Sequence, residues 1–196
     1  MRRAIFGGSF NPIHNDHIRL CERFYEEFSL DKVTLIPTST TPLKDNSSMA
    51  SSEDRLRMCG LASADIDFIE VSDIEVRREG LSYTSDTVRE LSGYGDELFL
   101  IVGADMFLTL EKWHECEYLF SQVTVLAAPR DESDINILKK KYKELKPLGC
   151  KALFSQTPIG DLSSTAVREK LKRGEDLSLS LHPDVLRYIR KRRLYL

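Results

Sequence analysis

Five consecutive apolar residues, Leu98-Phe99-Leu100-Ile101-Val102, form the most hydrophobic run in the chain. A strand with no polar side to show to water must be covered on both faces, as in parallel sheets flanked by helices. Shorter runs of similar character recur: Ala4-Ile5-Phe6, Val33-Thr34-Leu35-Ile36, Phe68-Ile69-Glu70-Val71, Val123-Thr124-Val125-Leu126 and Ala152-Leu153-Phe154. Between them lie segments with helical signals. The first runs from about Asn15 to Phe28, with Ile18, Cys21, Phe24, Tyr25 and Phe28 as its apolar stripe. Others are expected near Glu53 to Ser63 (Leu56, Cys59 and Leu61 inward), from the capping residues Thr84 to Thr87 onward, from Met106 to Phe120 with a break near Trp113, and from Ile135 to Leu145. Ser163 or Ser164 caps a further helix, and His182-Pro183 opens the last, with Val185, Tyr188 and Ile189 inward. Thr38 to Ser52 and Arg77 to Tyr83 read as polar loops. This alternation predicts an α/β fold, a mostly parallel sheet flanked by helices with right-handed crossovers.

The length of 196 residues suits a single domain, 1–196, with a helical C-terminal portion from about 163. Hydrophobic residues at 41% and charged residues at 30% exclude a disordered chain. A net charge of −3 and the lack of an aromatic-basic stripe argue against a nucleic-acid partner. No apolar run approaches the roughly 20 residues of a membrane span. Met1-Arg2-Arg3-Ala4 leads into a strand rather than an export signal, so a cytoplasmic location is expected. Cys21, Cys59, Cys116 and Cys150 form no Cys-x-x-Cys pair and are read as reduced thiols. Oligomeric state is left open, a homodimer included.

The first strand ends in Gly7-Gly8-Ser9-Phe10-Asn11-Pro12-Ile13-His14-Asn15-Asp16-His17. Paired glycines allow close approach of backbone to a phosphate, and a helix start offers free N–H groups and a positive dipole end. His14 and His17, three apart, share the first turn of that helix and can donate to phosphate oxygens. The stretch therefore reads as a site for a reacting polyphosphate. The chain has four histidines and no companion cluster, so half of a metal site is the weaker reading. In parallel α/β sheets ligands bind at the carboxyl ends of strands. The glycine turn, Gly103-Ala104-Asp105, the Arg130 loop and Ser163-Ser164-Thr165 all follow predicted strands and should gather at one edge.

The glycine turn with His14-Asn15-Asp16-His17 resembles the nucleotidylyltransferase signature, in which His-x-Gly-His follows such a turn. Asp16 stands where that family has glycine. Over nearly its whole length the chain is similar to bacterial nicotinate-nucleotide adenylyltransferases. The segments that carry the likeness are Pro42-Leu43-Lys44 (leucine for the family's histidine), Glu53-Asp54-Arg55-Leu56, Ser82-Tyr83-Thr84-Ser85-Asp86-Thr87, Gly103-Ala104-Asp105, Trp113-His114, Leu162-Ser163-Ser164-Thr165-Ala166-Val167-Arg168 and Val185 through Tyr195. The resemblance implies a Rossmann-like nucleotidylyltransferase fold and adenylyl transfer from ATP to nicotinate mononucleotide, with Mg2+ accompanying ATP and no covalent enzyme intermediate. It also implies roles. His14, His17 and Arg168 would be catalytic, His17 at the α-phosphate. Gly7, Gly8, Ser9, Phe10, Asp105, Ser163, Ser164 and Thr165 would bind ATP, Asp105 through a ribose hydroxyl. Lys44, Thr84, Trp113 and Arg130 would serve the substrates, with the Trp113 indole on the pyridine ring. Two alternatives stand beside this reading. One is a nucleotide-binding protein with little catalysis, motivated by Asp16 and Leu43. The other is an adenylyltransferase acting on nicotinamide mononucleotide or phosphopantetheine. Asp16 could point away from ATP, contact magnesium or repel phosphate; the last leads to the expectation that Asp16→Gly tightens ATP binding.

Overall fold

The computed structural model describes residues 1–40, 49–78, 80–156, 158, 160 and 162–196. Six strands, β1 (Arg2–Gly8), β2 (Lys32–Pro37), β3 (Ile69–Val71), β4 (Glu97–Gly103), β5 (Val123–Ala128) and β6 (Lys151–Phe154), form one sheet in the order β3-β2-β1-β4-β5-β6. Every neighbouring pair is parallel. The helices are α1 (Asn15–Glu27), α2 (Ser52–Ala62), α3 (Ile74–Arg77), α4 (Thr84–Leu91), α5 (Ala104–Phe107), α6 (Cys116–Gln122), α7 (Glu132–Leu145), α8 (Ser164–Lys172) and α9 (Pro183–Arg192).

The apolar run at β4 behaves as its composition requires. Phe99 and Ile101 join one core layer with Phe6, Leu35 and Leu126, which packs against residues of α1, α2, α8 and α9. Leu98, Leu100 and Val102 point into the other layer with Ile5, Val125 and residues of α4, α6 and α7. Period-two alternation thus feeds two cores from one buried strand. Strand order runs outward one way from β1 to β3 and the other way from β4 to β6, so it reverses between β1 and β4. The carboxyl ends of those two strands, Gly8 and Gly103, flank the crevice that such a reversal creates.

Several local expectations need correction. The stretch read as a loop from Arg77 begins with the end of a one-turn helix, α3, too short to show helical periodicity. The break near Trp113 is real, with a 3₁₀ turn at Leu110–Lys112 between α5 and α6. Helix α7 starts three residues early because Asp131 caps it, accepting from the N–H groups of Ser133 and Asp134. Helix α4 starts at Thr84 after Tyr83, whose side chain makes no cap. In α2, Leu56 and Leu61 are only half-buried, whereas Arg55 and Met58 are buried. Arg55 is 1% exposed and donates to three backbone carbonyls: Ser9 at 2.8 Å, Ala50 at 3.0 Å and Ser39 at 3.1 Å. A buried guanidinium is tolerable only because its donors are used this way.

Candidate active site

A cleft of about 610 Å³ opens over the β1/β4 reversal. It brings together every sequence-predicted site residue except Lys44, which lies outside the described residues. One wall is the turn after β1. Phe10 takes a positive φ of 42°, rare for a bulky residue and costly by roughly 1–2 kcal/mol. Its ring lies over Gly8, where an added Cβ would sit 3.2 Å from the ring edge. Glycine at position 8 is thus needed for Phe10 as well as for an open backbone. Phe10 is 2% exposed and meets His17 edge-on at 5.1 Å, so it props the imidazole from below.

His14 is the N-cap residue of α1. Its ring stacks on that of His17 with centroids 3.6 Å apart. The backbone N–H of His14 donates to Nδ1 of His17 at 3.1 Å. An accepting Nδ1 fixes the neutral His17 tautomer with its proton on Nε2, as a donor. His14 is buried, and this desolvation pushes its pKa down to about 4 against the opposing pull of Asp16. Its Nδ1 is buried without a hydrogen-bond partner among the described residues. The pair is therefore neutral at pH 7 at His14, with an orphan polar atom held in reserve.

The facing wall is the start of α8. Ser163 caps it, accepting from the Ala166 N–H at 3.1 Å. Ser164 Oγ donates to the Pro12 carbonyl at 2.9 Å, and Arg168 Nη1 donates to the Asn11 carbonyl at 2.7 Å. Arg168 Nη2 also reaches back one turn to Thr165 Oγ1 at 3.1 Å. Two helix N-termini thus meet across the Asn11–Pro12 turn, and residues of both line the cleft, where the positive dipole ends favour an anion.

Acidic residues at the cleft are compensated. Asp105 and Arg130, expected to serve different ligand groups, pair with each other. Asp16 Oδ1 accepts from Arg19 at 2.9 Å and Oδ2 from the Leu162 N–H at 3.2 Å. Both oxygens of this carboxylate, at the cleft wall, are thus committed to protein donors. Glu75, missed in the sequence, is 3% exposed and accepts from the Thr87 hydroxyl at 2.7 Å; burial raises its carboxyl pKa.

Thr84, which begins α4, also lines the cleft, as does Trp113, half-buried with its Nε1 buried and without a hydrogen-bond partner among the described residues. Tyr83 stacks on His114 at 4.3 Å, and Ser85 Oγ lies 3.2 Å from His114 Nδ1. An aromatic wall with a spare indole N–H suits a flat heteroaromatic ring bearing an acceptor. Among the described residues no three His, Cys, Asp or Glu side chains converge to hold a metal. Asn11, within the glycine-turn stretch, lines the cleft, and Tyr195, given no role from sequence, bonds to its side chain. Only that spatial contact reveals Tyr195.

Comparison with known proteins places these features in context. The cytidylyltransferase-like family model matches residues 5–170. A protein of Desulfatibacillum aliphaticivorans named "Probable nicotinate-nucleotide adenylyltransferase" is 36% identical over 216 residues, covering all of both chains. One of the same name from Geobacter metallireducens is 35% identical over 212 residues, covering 100% of this chain and 98% of the other. The structure of Plasmodium falciparum nicotinic acid mononucleotide adenylyltransferase complexed with NaAD superposes with a TM-score of 0.80 at 20% identity, covering 98% of this chain and 96% of that one.

Proposed function

Because the chain belongs to the nicotinate-nucleotide adenylyltransferases of the cytidylyltransferase-like family, we propose that its cleft joins ATP to nicotinate mononucleotide through the residues just described. The reaction is adenylyl transfer in NAD biosynthesis. An oxygen of the nucleotide's 5′-phosphate forms a bond to the α-phosphorus of ATP. The bond from that phosphorus to the bridging oxygen breaks, and its electron pair leaves with pyrophosphate. The nucleophile is already an anion, so no general base is required, and catalysis rests on alignment and charge stabilisation.

The observation that carries this reading is the meeting of two helix N-termini across Asn11–Pro12, with the His14/His17 stack on one and Arg168 on the other. His17 presents Nε2–H to the α-phosphate as charge accumulates there. Arg168 has five N–H donors and a planar fork suited to phosphate oxygens. The starts of α8 and α1 add backbone N–H groups for the departing pyrophosphate. Asp105 exchanges its Arg130 partner for a ribose hydroxyl, which costs little because both side chains are exposed. Thr84 and Trp113 hold the pyridine end.

Magnesium accompanies ATP as part of the substrate, held by phosphate oxygens and water. Among the described residues no three His, Cys, Asp or Glu side chains converge to hold it. We take residues 1–196 as one domain, supported by a core layer that runs from Ala4 to Ile189. The four free cysteines, three of them buried, fit a reducing compartment such as the cytoplasm.

The test is product formation from ATP and Mg2+ with nicotinate mononucleotide, nicotinamide mononucleotide or phosphopantetheine. Dinucleotide formed chiefly from the nicotinate substrate is expected. Preferential turnover of another acceptor, or of none, overturns the reading.

A further inference from the structure

Asp16 is the residue that departs from the signature, and its surroundings give it a task. Its side chain is only 12% exposed. One oxygen takes the Arg19 guanidinium one turn along α1, and the other takes the Leu162 N–H directly before the α8 cap. Gly160 passes so close that a Cβ there would lie 3.0 Å from Asp16 Oδ2, and its φ of +105° is one that other residues rarely adopt. The chain approaching α8 is thus shaped to fit against this carboxylate. On the other side, Ser164 and Arg168 tie α8 to Pro12 and Asn11. Helix α8 is therefore fastened to the glycine turn and the α1 start at two separate places.

We propose that Asp16 is a positioning residue that holds Leu162, with Gly160 beside it, against the first turn of α1, so that the His14/His17 and Ser163–Arg168 groups face ATP as one rigid unit. The proposal rests on the adenylyl-transfer reading. Arg19 offsets the carboxylate's charge, which would otherwise oppose a polyphosphate at the same helix start. The outcome for Asp16→Gly is then the reverse of the one expected from charge alone: losing the tether weakens ATP binding.

The experiment compares the parent with Asp16→Ala, Asp16→Asn, Arg19→Ala and the Asp16→Asn/Arg19→Ala double variant. Affinity for a non-hydrolysable α,β-methylene ATP analogue with Mg2+ is measured by calorimetry. Hydrogen exchange is followed in the peptide containing Leu162, and circular dichroism reports folding. Asp16→Ala is expected to bind the analogue about tenfold more weakly, the scale of one hydrogen bond to a charged group. Its Leu162 peptide should exchange faster, while its affinity for nicotinate mononucleotide stays unchanged. Asp16→Asn, which keeps an acceptor for Leu162, should retain most of the affinity. Arg19→Ala should weaken binding alone but not in the Asp16→Asn background. Equal or tighter analogue binding by Asp16→Ala, or unchanged exchange at Leu162, overturns the proposal. If the parent itself fails to bind the analogue, the adenylyl-transfer reading fails instead, and exchange at Leu162 alone decides the tether. If Asp16→Ala does not fold, the Arg19 comparison decides: additive losses in the double variant overturn the proposal.

Discussion

Tyr195 donates its phenolic hydrogen to the side-chain oxygen of Asn11 across 2.6 Å, linking residues 184 positions apart. The same oxygen accepts from the Ala50 N–H at 3.1 Å, and the Asn11 carbonyl accepts from Arg168. Asn11 is thus a junction of three distant segments at the glycine turn. Tyr195→Phe keeps the ring and removes one bond, so it should cost about 1 kcal/mol of stability. It should also lower kcat/KM several-fold through a looser turn. Chemical denaturation and steady-state kinetics check both; unchanged kinetics would mean that Tyr195 only braces the fold.

His14 makes pH dependence specific. Its pKa of about 4 in the folded chain lies below the usual 6.5. Above pH 6.5 both states are neutral. As pH falls towards 4, the unfolded chain takes up a proton that the folded one refuses, so stability drops by up to about 3 kcal/mol across that window. His14→Gln should flatten this part of the profile, which denaturation at pH 7 and pH 4.5 would reveal.

A bound polyphosphate reverses the preference at His14, because nearby negative charge favours the imidazolium. ATP binding near pH 6 should therefore take up protons. Calorimetry in buffers of different ionisation enthalpy measures the uptake directly. It should vanish in His14→Gln.

His17 donates through Nε2, and its removal should act on the chemical step. His17→Ala is expected to lower kcat about 10²- to 10³-fold, as for loss of one oxyanion donor. The melting temperature should fall by a few degrees, since the His14 stack, the Phe10 contact and the His14 N–H bond are lost together. A drop in kcat below tenfold would show that the α-phosphate is stabilised without this ring.

Trp113 should separate the two substrates. Trp113→Leu is expected to raise the KM for nicotinate mononucleotide about fivefold or more, on the scale of one aromatic stack. ATP-analogue affinity should be unaffected. Equal effects on both would place the indole in the scaffold rather than against the pyridine ring.

The sheet was legible because buried parallel strands spell themselves as β-branched and apolar runs, and Leu98 to Val102 does so without interruption. That the glycine turn, the paired histidines and the Ser-Ser-Thr cap share one cleft was legible because each follows a predicted strand of a parallel sheet. What escaped was set by distance in sequence. Nothing local to Arg55 signals burial of a charged side chain, yet the carbonyls of Ser9, Ser39 and Ala50 make a buried socket for it. The Asp105–Arg130 pair joins the start of α5 to the loop after β5, and their spacing in sequence says nothing of their approach. Asp16 looked like a charge in the wrong place, because Leu162 and Gly160, its neighbours in space, lie far along the chain.

The chain has a single tryptophan, and it lines the cleft with an indole N–H that is buried and has no partner among the described residues. Tryptophan-selective fluorescence from this protein therefore comes from one chromophore in the wall of the cleft. Emission from the unmodified molecule can be followed in stopped flow as the second substrate arrives, so the order of substrate addition becomes an optical measurement that requires no attached dye.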